Sequence, residues 1–150
     1  MGAADREEDG VGETPVVELL RGCPIFEGLS DKELDAVRRI GKEVSFPAGR
    51  EIVKQGATGV GFHLIMEGQA AVEKDGQNIA DLGPGKYFGE MSLIDGGPRS
   101  ATVRAESDVR TFSLASWSFS ALLDDNPSIA RTMLVELSKR IRNAERSETH

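Results

Sequence analysis

The sequence predicts a mainly β fold, a sandwich or, as we read it, an antiparallel β-roll of jelly-roll-like form, with helices flanking it at both the N- and C-terminal sides. Three observations carry this. From Val44 to Leu114, short β-prone runs alternate with Gly, Pro and Asp turns at a spacing typical of all-β domains. Before that stretch lie two helix-start signals, and after it a proline-initiated segment keeps apolar residues four apart. At 150 residues the chain has the length of one domain, large enough to fold on a core without metal or disulfide staples.

Residues 1–13 are polar and acidic, and we expect a flexible tail there, followed by one domain over 14–150. That domain divides into helices over 14–41, the β-roll over 42–114 and C-terminal helices over 116–146. Thr14 reads as a cap, with Pro15 in the first turn of a helix carrying Val16, Val17, Leu19 and Leu20. Ser30 reads as the cap of a second helix, Glu33 as its capping-box partner, and Leu29 as a staple onto Leu34. This helix should turn Leu34 and Val37 inward and stop at Gly41.

The strand-forming runs are Glu43 to Phe46, Glu51 to Val53, Phe62 to Met66, Ala70 to Glu73, Asn78 to Leu82, Ala101 to Ala105 and Val109 to Leu114. Pro47-Ala48-Gly49, Glu67-Gly68, Asp75-Gly76 and Gly83-Pro84-Gly85 supply turns between them. Beyond Leu114, Trp117 and Phe119 are expected to anchor a helix onto the roll. Asn126 should cap, and Pro127 open, a last helix with Ile129, Met133, Leu137 and Ile141 on one face. Arg140, Arg142 and Arg146 near its end suit the negative pole of the helix dipole and read as a solvated end.

Net charge is −7, the reverse of the electrostatic footprint of a nucleic-acid binder, and we expect no nucleic-acid partner. A small phosphate ligand would also be repelled unless a local cation anchored it. No apolar run has the length of a membrane span, and the N-terminus lacks the basic and apolar regions of a signal peptide. Cys23 is the single cysteine, so no internal disulfide forms; we expect a cytoplasmic protein with no membrane partner. Beside Pro24 and without a nearby histidine to activate it, Cys23 reads as a buried hydrophobe. His63, between Phe62 and Leu64, reads as a packed strand residue. A metal-binding jelly roll would need several converging His or carboxylate ligands, so we assign no metal and no catalytic group.

One stretch breaks the strand pattern, Tyr87 to Val103. Gly89 permits close backbone approach, and residues 90–94 can form one helical turn whose free N–H groups favour an anion. Gly96-Gly97-Pro98 then turns the chain so that Arg99 returns to the same point. Its planar, permanently charged fork can hold two phosphate oxygens. This is the local cation that the net charge requires.

The segment Phe88 to Val103, with Phe88-Gly89-Glu90 and Pro98-Arg99-Ser100-Ala101-Thr102, resembles the phosphate-binding cassette of cyclic-nucleotide-binding domains. Cys23-Pro24-Ile25-Phe26, Phe46-Pro47-Ala48-Gly49, Gln55-Gly56, Glu67-Gly68 and Leu82-Gly83-Pro84-Gly85 are similar to that family's entry helices and turns, so the resemblance runs from about residue 14 onward. It implies a non-catalytic sensor whose ligand, cAMP or cGMP, is not a cofactor. Arg99 would pair with the cyclic phosphate, Glu90 would accept from the ribose 2′-hydroxyl, and Ser100 would add a hydroxyl donor. Backbone N–H groups at Gly89, Met91, Ser92 and Ala101 would complete the cradle. Val72 and Leu82, with Met91, would wall the base, and Met133 or Leu134 would cap it, because no aromatic follows Phe119. Nothing in the sequence reads guanine, which favours cAMP, while Ser100 leaves cGMP open.

One departure stands out. The family's loop after Gln55-Gly56 often carries an acid that buttresses the arginine; here it reads Ala57-Thr58-Gly59-Val60-Gly61, without a carboxylate. As a switch, the nucleotide would draw in the cassette, repack the helices after Leu114 and present a changed surface to an unidentified protein effector. The rival reading is an interaction module that keeps the roll and binds no nucleotide.

Overall fold

The computed structural model describes residues 15–57 and 61–148. The expected acidic tail over 1–13 and the Thr14 cap lie outside them. Pro15 stands just before the first helix, α1 (Val16–Arg21), rather than in its first turn, and its carbonyl accepts from the N–H groups of Glu18 and Leu19. A single 3-10 turn follows at Pro24–Phe26. In α2 (Asp31–Ile40) the capping box closes both ways: Glu33 N–H donates to Ser30 Oγ at 3.2 Å, and Ser30 N–H donates to Glu33 Oε1 at 2.9 Å. Leu29, Leu34 and Val37 are all buried in one core. Gly41 ends α2 for a steric reason. Its φ of −93° is open to any residue, but a Cβ there would stand 2.1 Å from the Phe112 ring.

The roll consists of two four-stranded antiparallel sheets. One orders β1 (Lys42–Phe46), β8 (Val109–Ala115), β3 (Gly61–Glu67) and β6 (Tyr87–Phe88). The other orders β2 (Glu51–Val53), β7 (Thr102–Ala105), β4 (Ala70–Lys74) and β5 (Gln77–Leu82). Each of the seven expected strands is present with ends shifted by at most a residue. The strand β6 was not anticipated; it pairs through only His63↔Phe88 and Leu64↔Tyr87, too short a run to leave a periodic signal.

After β8 the chain passes directly into α4 (Ser116–Asp125) and then α5 (Pro127–Glu148). Phe119 is fully buried, but Trp117 is 66% exposed, so only the first of these two aromatics anchors α4. Asn126 turns its side-chain amide back to donate to Leu122 O at 3.0 Å, which closes the end of α4. Ile129 and Met133 are buried, Leu137 is half-buried and Ile141 is exposed. Steps of four residues advance about 40° beyond a full turn each, so the expected stripe winds off the packed face. No helix among the described residues is long and apolar enough to cross a membrane.

Two cores result. The larger joins α1, the 3-10 turn, α2, α4 and α5 to the inner faces of β3 and β8. There Phe26 meets Phe62 and Phe119 edge-on, with ring centroids 5.6 and 6.1 Å away. Cys23 is buried in it, and burial pushes its thiol pKa up to about 12, with the Glu90 charge adding to the shift. The smaller core lies between the sheets and holds Ile65, Ala70, Val103, Ala105 and Val109.

Candidate functional site

Beside the smaller core a cavity of about 390 Å³ opens against the second sheet. Its floor follows from strand register. Val53 opposes Val103, and Val103 opposes Val72, so three valines from β2, β7 and β4 stand in one cross-strand row. Leu82 extends this apolar wall on β5. The polar side is the stretch from Tyr87 to Ala101, built from β6, the short helix α3 (Glu90–Asp95) and the return loop.

Gly89 is the pivot of that stretch. It adopts φ +86°, and a Cβ there would sit 2.2 Å from Arg99 Nη1 and 2.5 Å from Gly61 O. Glycine is therefore required twice over, by backbone conformation and by the guanidinium pressed against it. α3 ends at Gly96, and Gly97 N–H donates to Asp95 Oδ1 at 2.7 Å while Gly97 O accepts from Ser92 Oγ at 3.2 Å. These bonds fold the loop back and deliver Arg99 to the cavity.

Arg99 is only 7% exposed. Its backbone is held on both sides, donating to Ala57 O and accepting from Gly56 N–H at 2.9 Å each. Its Nη2 donates to Gly61 O at 2.6 Å. A main-chain carbonyl, not a carboxylate, buttresses the arginine. Nη1 is buried and, among the described residues, has no hydrogen-bond partner. Burial lowers the Arg99 pKa from its ordinary value, yet a guanidinium remains charged in proteins. A buried cation with an unmet donor is costly, so such a group calls for an explanation. A small anion in the cavity would supply one.

Behind this arginine, His63 stacks on Phe88 with centroids 5.1 Å apart and shares a 2.7 Å hydrogen bond through Nδ1 with Ser113 Oγ. Burial, followed by the Arg99 charge, depresses its pKa to about 4. Neutral and packed, it matches its sequence reading.

Of the residues singled out in the sequence, Gly89, Glu90, Met91, Ser92, Arg99, Ser100, Ala101, Val72 and Leu82 all line the cavity. Met133 and Leu134, expected over the base, do not. Met133 is 3% exposed within the larger core, and Leu134 faces outward from α5. Sequence reasoning missed Val53 and Val103, which their register with Val72 exposes, and the Gly61 carbonyl, which no side-chain pattern signals. It also missed Arg140, whose Nη2 stands 3.8 Å from Glu90 Oε2.

Comparison with known proteins agrees with this geometry. Residues 43–126 match the family model described as the cyclic nucleotide-binding domain. The chain is 34% identical over 131 residues to the cyclic AMP receptor protein of Thermus thermophilus, covering 84% of this chain and 61% of that one. It is 36% identical over 116 residues to a cyclic nucleotide-gated potassium channel of Rhizobium etli, covering 77% and 32%. The chain thus spans between 32% and 61% of the length of these curated relatives. The crystal structure of the N-terminal domain of a transcriptional regulator from Streptomyces coelicolor superposes with a TM-score of 0.79 at 28% identity, covering 86% of this chain and 93% of that one.

Proposed function

Because the chain belongs to the cyclic-nucleotide-binding domain family, we propose that it is a non-catalytic sensor that binds cAMP in preference to cGMP in the cavity between its second sheet and the Tyr87 to Ala101 stretch. The observation that carries the reading is Arg99, a buried guanidinium with one anchored nitrogen and one unmet donor beside a cavity. A cyclic phosphate meets that donor and neutralises the charge, and a charge-assisted bond from a buried guanidinium favours a phosphate over a carbonyl or hydroxyl ligand. Glu90 accepts from the ribose 2′-hydroxyl, Ser100 donates to the phosphate, and the main-chain N–H groups of Gly89, Met91, Ser92 and Ala101 complete the cradle.

The base lies along the valine row and Leu82. Adenine is favoured because the residues along that wall are aliphatic and offer guanine no specific partner. The relatives named above comprise a receptor, a channel and a transcriptional regulator, so the shared module serves different outputs. We place the output of this chain in α4 and α5, which repack when nucleotide favours one of their arrangements and then meet a protein effector. Amide exchange along α5 that is unaltered by saturating cAMP would refute this switch.

Calorimetric titration with cAMP and cGMP, on the native chain and on Arg99→Ala, tests the binding itself. The expected result is a saturable isotherm, tighter for cAMP, weakened about 10- to 150-fold by the substitution, as befits the loss of a charged hydrogen-bonding group. No heat with either nucleotide would favour an interaction module on the same roll.

A further inference from the structure

At one end the sheet behind the cavity lacks its middle strand. β7 lies between β2 and β4, and it begins only at Thr102, where the return loop enters the sheet. Past the last rung of that pairing, Glu73↔Thr102, the β4–β5 hairpin runs on through Lys74↔Gln77 to its tip at Asp75 and Gly76. These two residues have φ of +52° and +80°, the pair of positive values that a two-residue type I′ turn requires. Among the described residues Asp75 is the only non-glycine with a positive φ. Its N–H lies outside the hairpin ladder and must find a partner elsewhere or in water. Gln55, two residues beyond β2, reaches across the end of β7 to supply one. Its Oε1 accepts from Asp75 N–H at 3.0 Å, and its Nε2 donates to Asp75 Oδ1 at 2.9 Å. Its own N–H donates to Thr102 Oγ1 at 2.9 Å, so one residue grips the hairpin tip and the first residue of β7 together.

The grip bears on both halves of the cavity. Val72 and Leu82, on the two strands of the hairpin, belong to its apolar wall. On the other side, Gly56 N–H donates to Arg99 O and Ala57 O accepts from Arg99 N–H. We propose that Gln55 is a positioning residue for the nucleotide: it ties the hairpin that walls the base to the segment that holds Arg99, and so sets the spacing between base wall and phosphate anchor. This rests on the reading of the cavity as the nucleotide site. The residue type suits the task, because an amide offers a donor and an acceptor side by side, matching the acceptor and donor of Asp75. A carboxylate has no donor to offer, and lysine or arginine no acceptor.

The test is a double-mutant cycle on the cAMP dissociation constant, measured by calorimetry and corrected for the folded fraction found by urea denaturation. Gln55→Ala changes no charge and should weaken cAMP about three- to five-fold, the range that a partly exposed pair of hydrogen bonds supports. Asp75→Asn keeps the acceptor oxygen and tolerates the positive φ, so it should bind no more weakly than the native chain. Asp75→Gly keeps the turn but removes the acceptor, and it should weaken cAMP even though losing a negative charge would by itself favour an anion. The double variant Gln55→Ala with Asp75→Gly should bind no more weakly than Gln55→Ala alone, because the shared interaction is lost only once. A merely structural grip would lower the urea midpoint and leave the affinity of the folded chain unchanged, and that result in Gln55→Ala overturns the proposal. Additive losses in the double variant overturn it as well. A native chain that does not bind cAMP contradicts the nucleotide reading itself, and the proposal falls with it.

Discussion

The two cores of this domain obey the same packing physics with different residues. The larger is filled by Phe26, Phe62, Phe119 and long aliphatics sealed under the helices. The smaller is made from Ala70, Ala105, Val103, Val109 and Ile65, and the half-buried Val53, Val72 and Leu82 at its border line a cavity. Large side chains close one region, and small ones leave space in the other. Beside that space lies the buried Arg99 with its unmet donor. The molecule concentrates its stability in the first region and tolerates a costly group in the second, which is the usual mark of a binding site.

The comparison can be broken most severely in the large core. Phe62→Ala should lower unfolding free energy by about 3–5 kcal/mol, as expected for deleting a sealed aromatic. Urea denaturation reads this, and nucleotide affinity extrapolated to the folded fraction should be nearly unchanged. Gly89→Ala should act on both regions. Its positive φ and the contact with Arg99 Nη1 predict about 1–3 kcal/mol of destabilisation together with loss of cAMP binding.

A third test uses pH. His63 is neutral when folded, with its pKa lowered from 6.5 to about 4. The unfolded chain therefore takes up a proton first as pH falls, so the stability associated with neutral His63 is complete above pH 6.5 and is lost progressively toward pH 4. His63→Phe, which keeps an aromatic ring against Phe88, should show a smaller fall in denaturation midpoint between pH 7 and pH 4.5 than the native chain does. An identical fall in both would remove His63 from the account. The smallest effect is expected at the cavity floor. Val72→Ala should reduce stability by about 1 kcal/mol or less, because the residue is only half-buried, yet weaken cAMP several-fold through lost apolar contact. If Val72→Ala instead destabilised the fold as much as Phe62→Ala, the contrast between the cores would be gone.

Much of this was legible in the sequence because its signals are local. The capping box at Ser30 and Glu33, the turn glycines and the strand runs each act within a few residues of themselves. The candidate site was legible for the same reason, since Gly89 to Ala101 is one continuous stretch that carries its own cation and turn. What stayed hidden depends on distant partners. Arg99 is oriented by a carbonyl 38 residues earlier in the chain, at Gly61, and main-chain oxygens leave no mark in composition. Arg140 meets Glu90 only through the path of α5, and Met133 is taken by the larger core instead of the cavity. Trp117 shows the opposite error, an aromatic assigned to packing that the start of α4 turns outward.

The most direct measurement is a crystal structure of the chain with cAMP. The account predicts a cyclic phosphate oxygen within about 2.7–2.9 Å of Arg99 Nη1, with the Nη2 bond to Gly61 O retained. A nucleotide bound with its phosphate away from residue 99, leaving Nη1 as unmet as before, would contradict it.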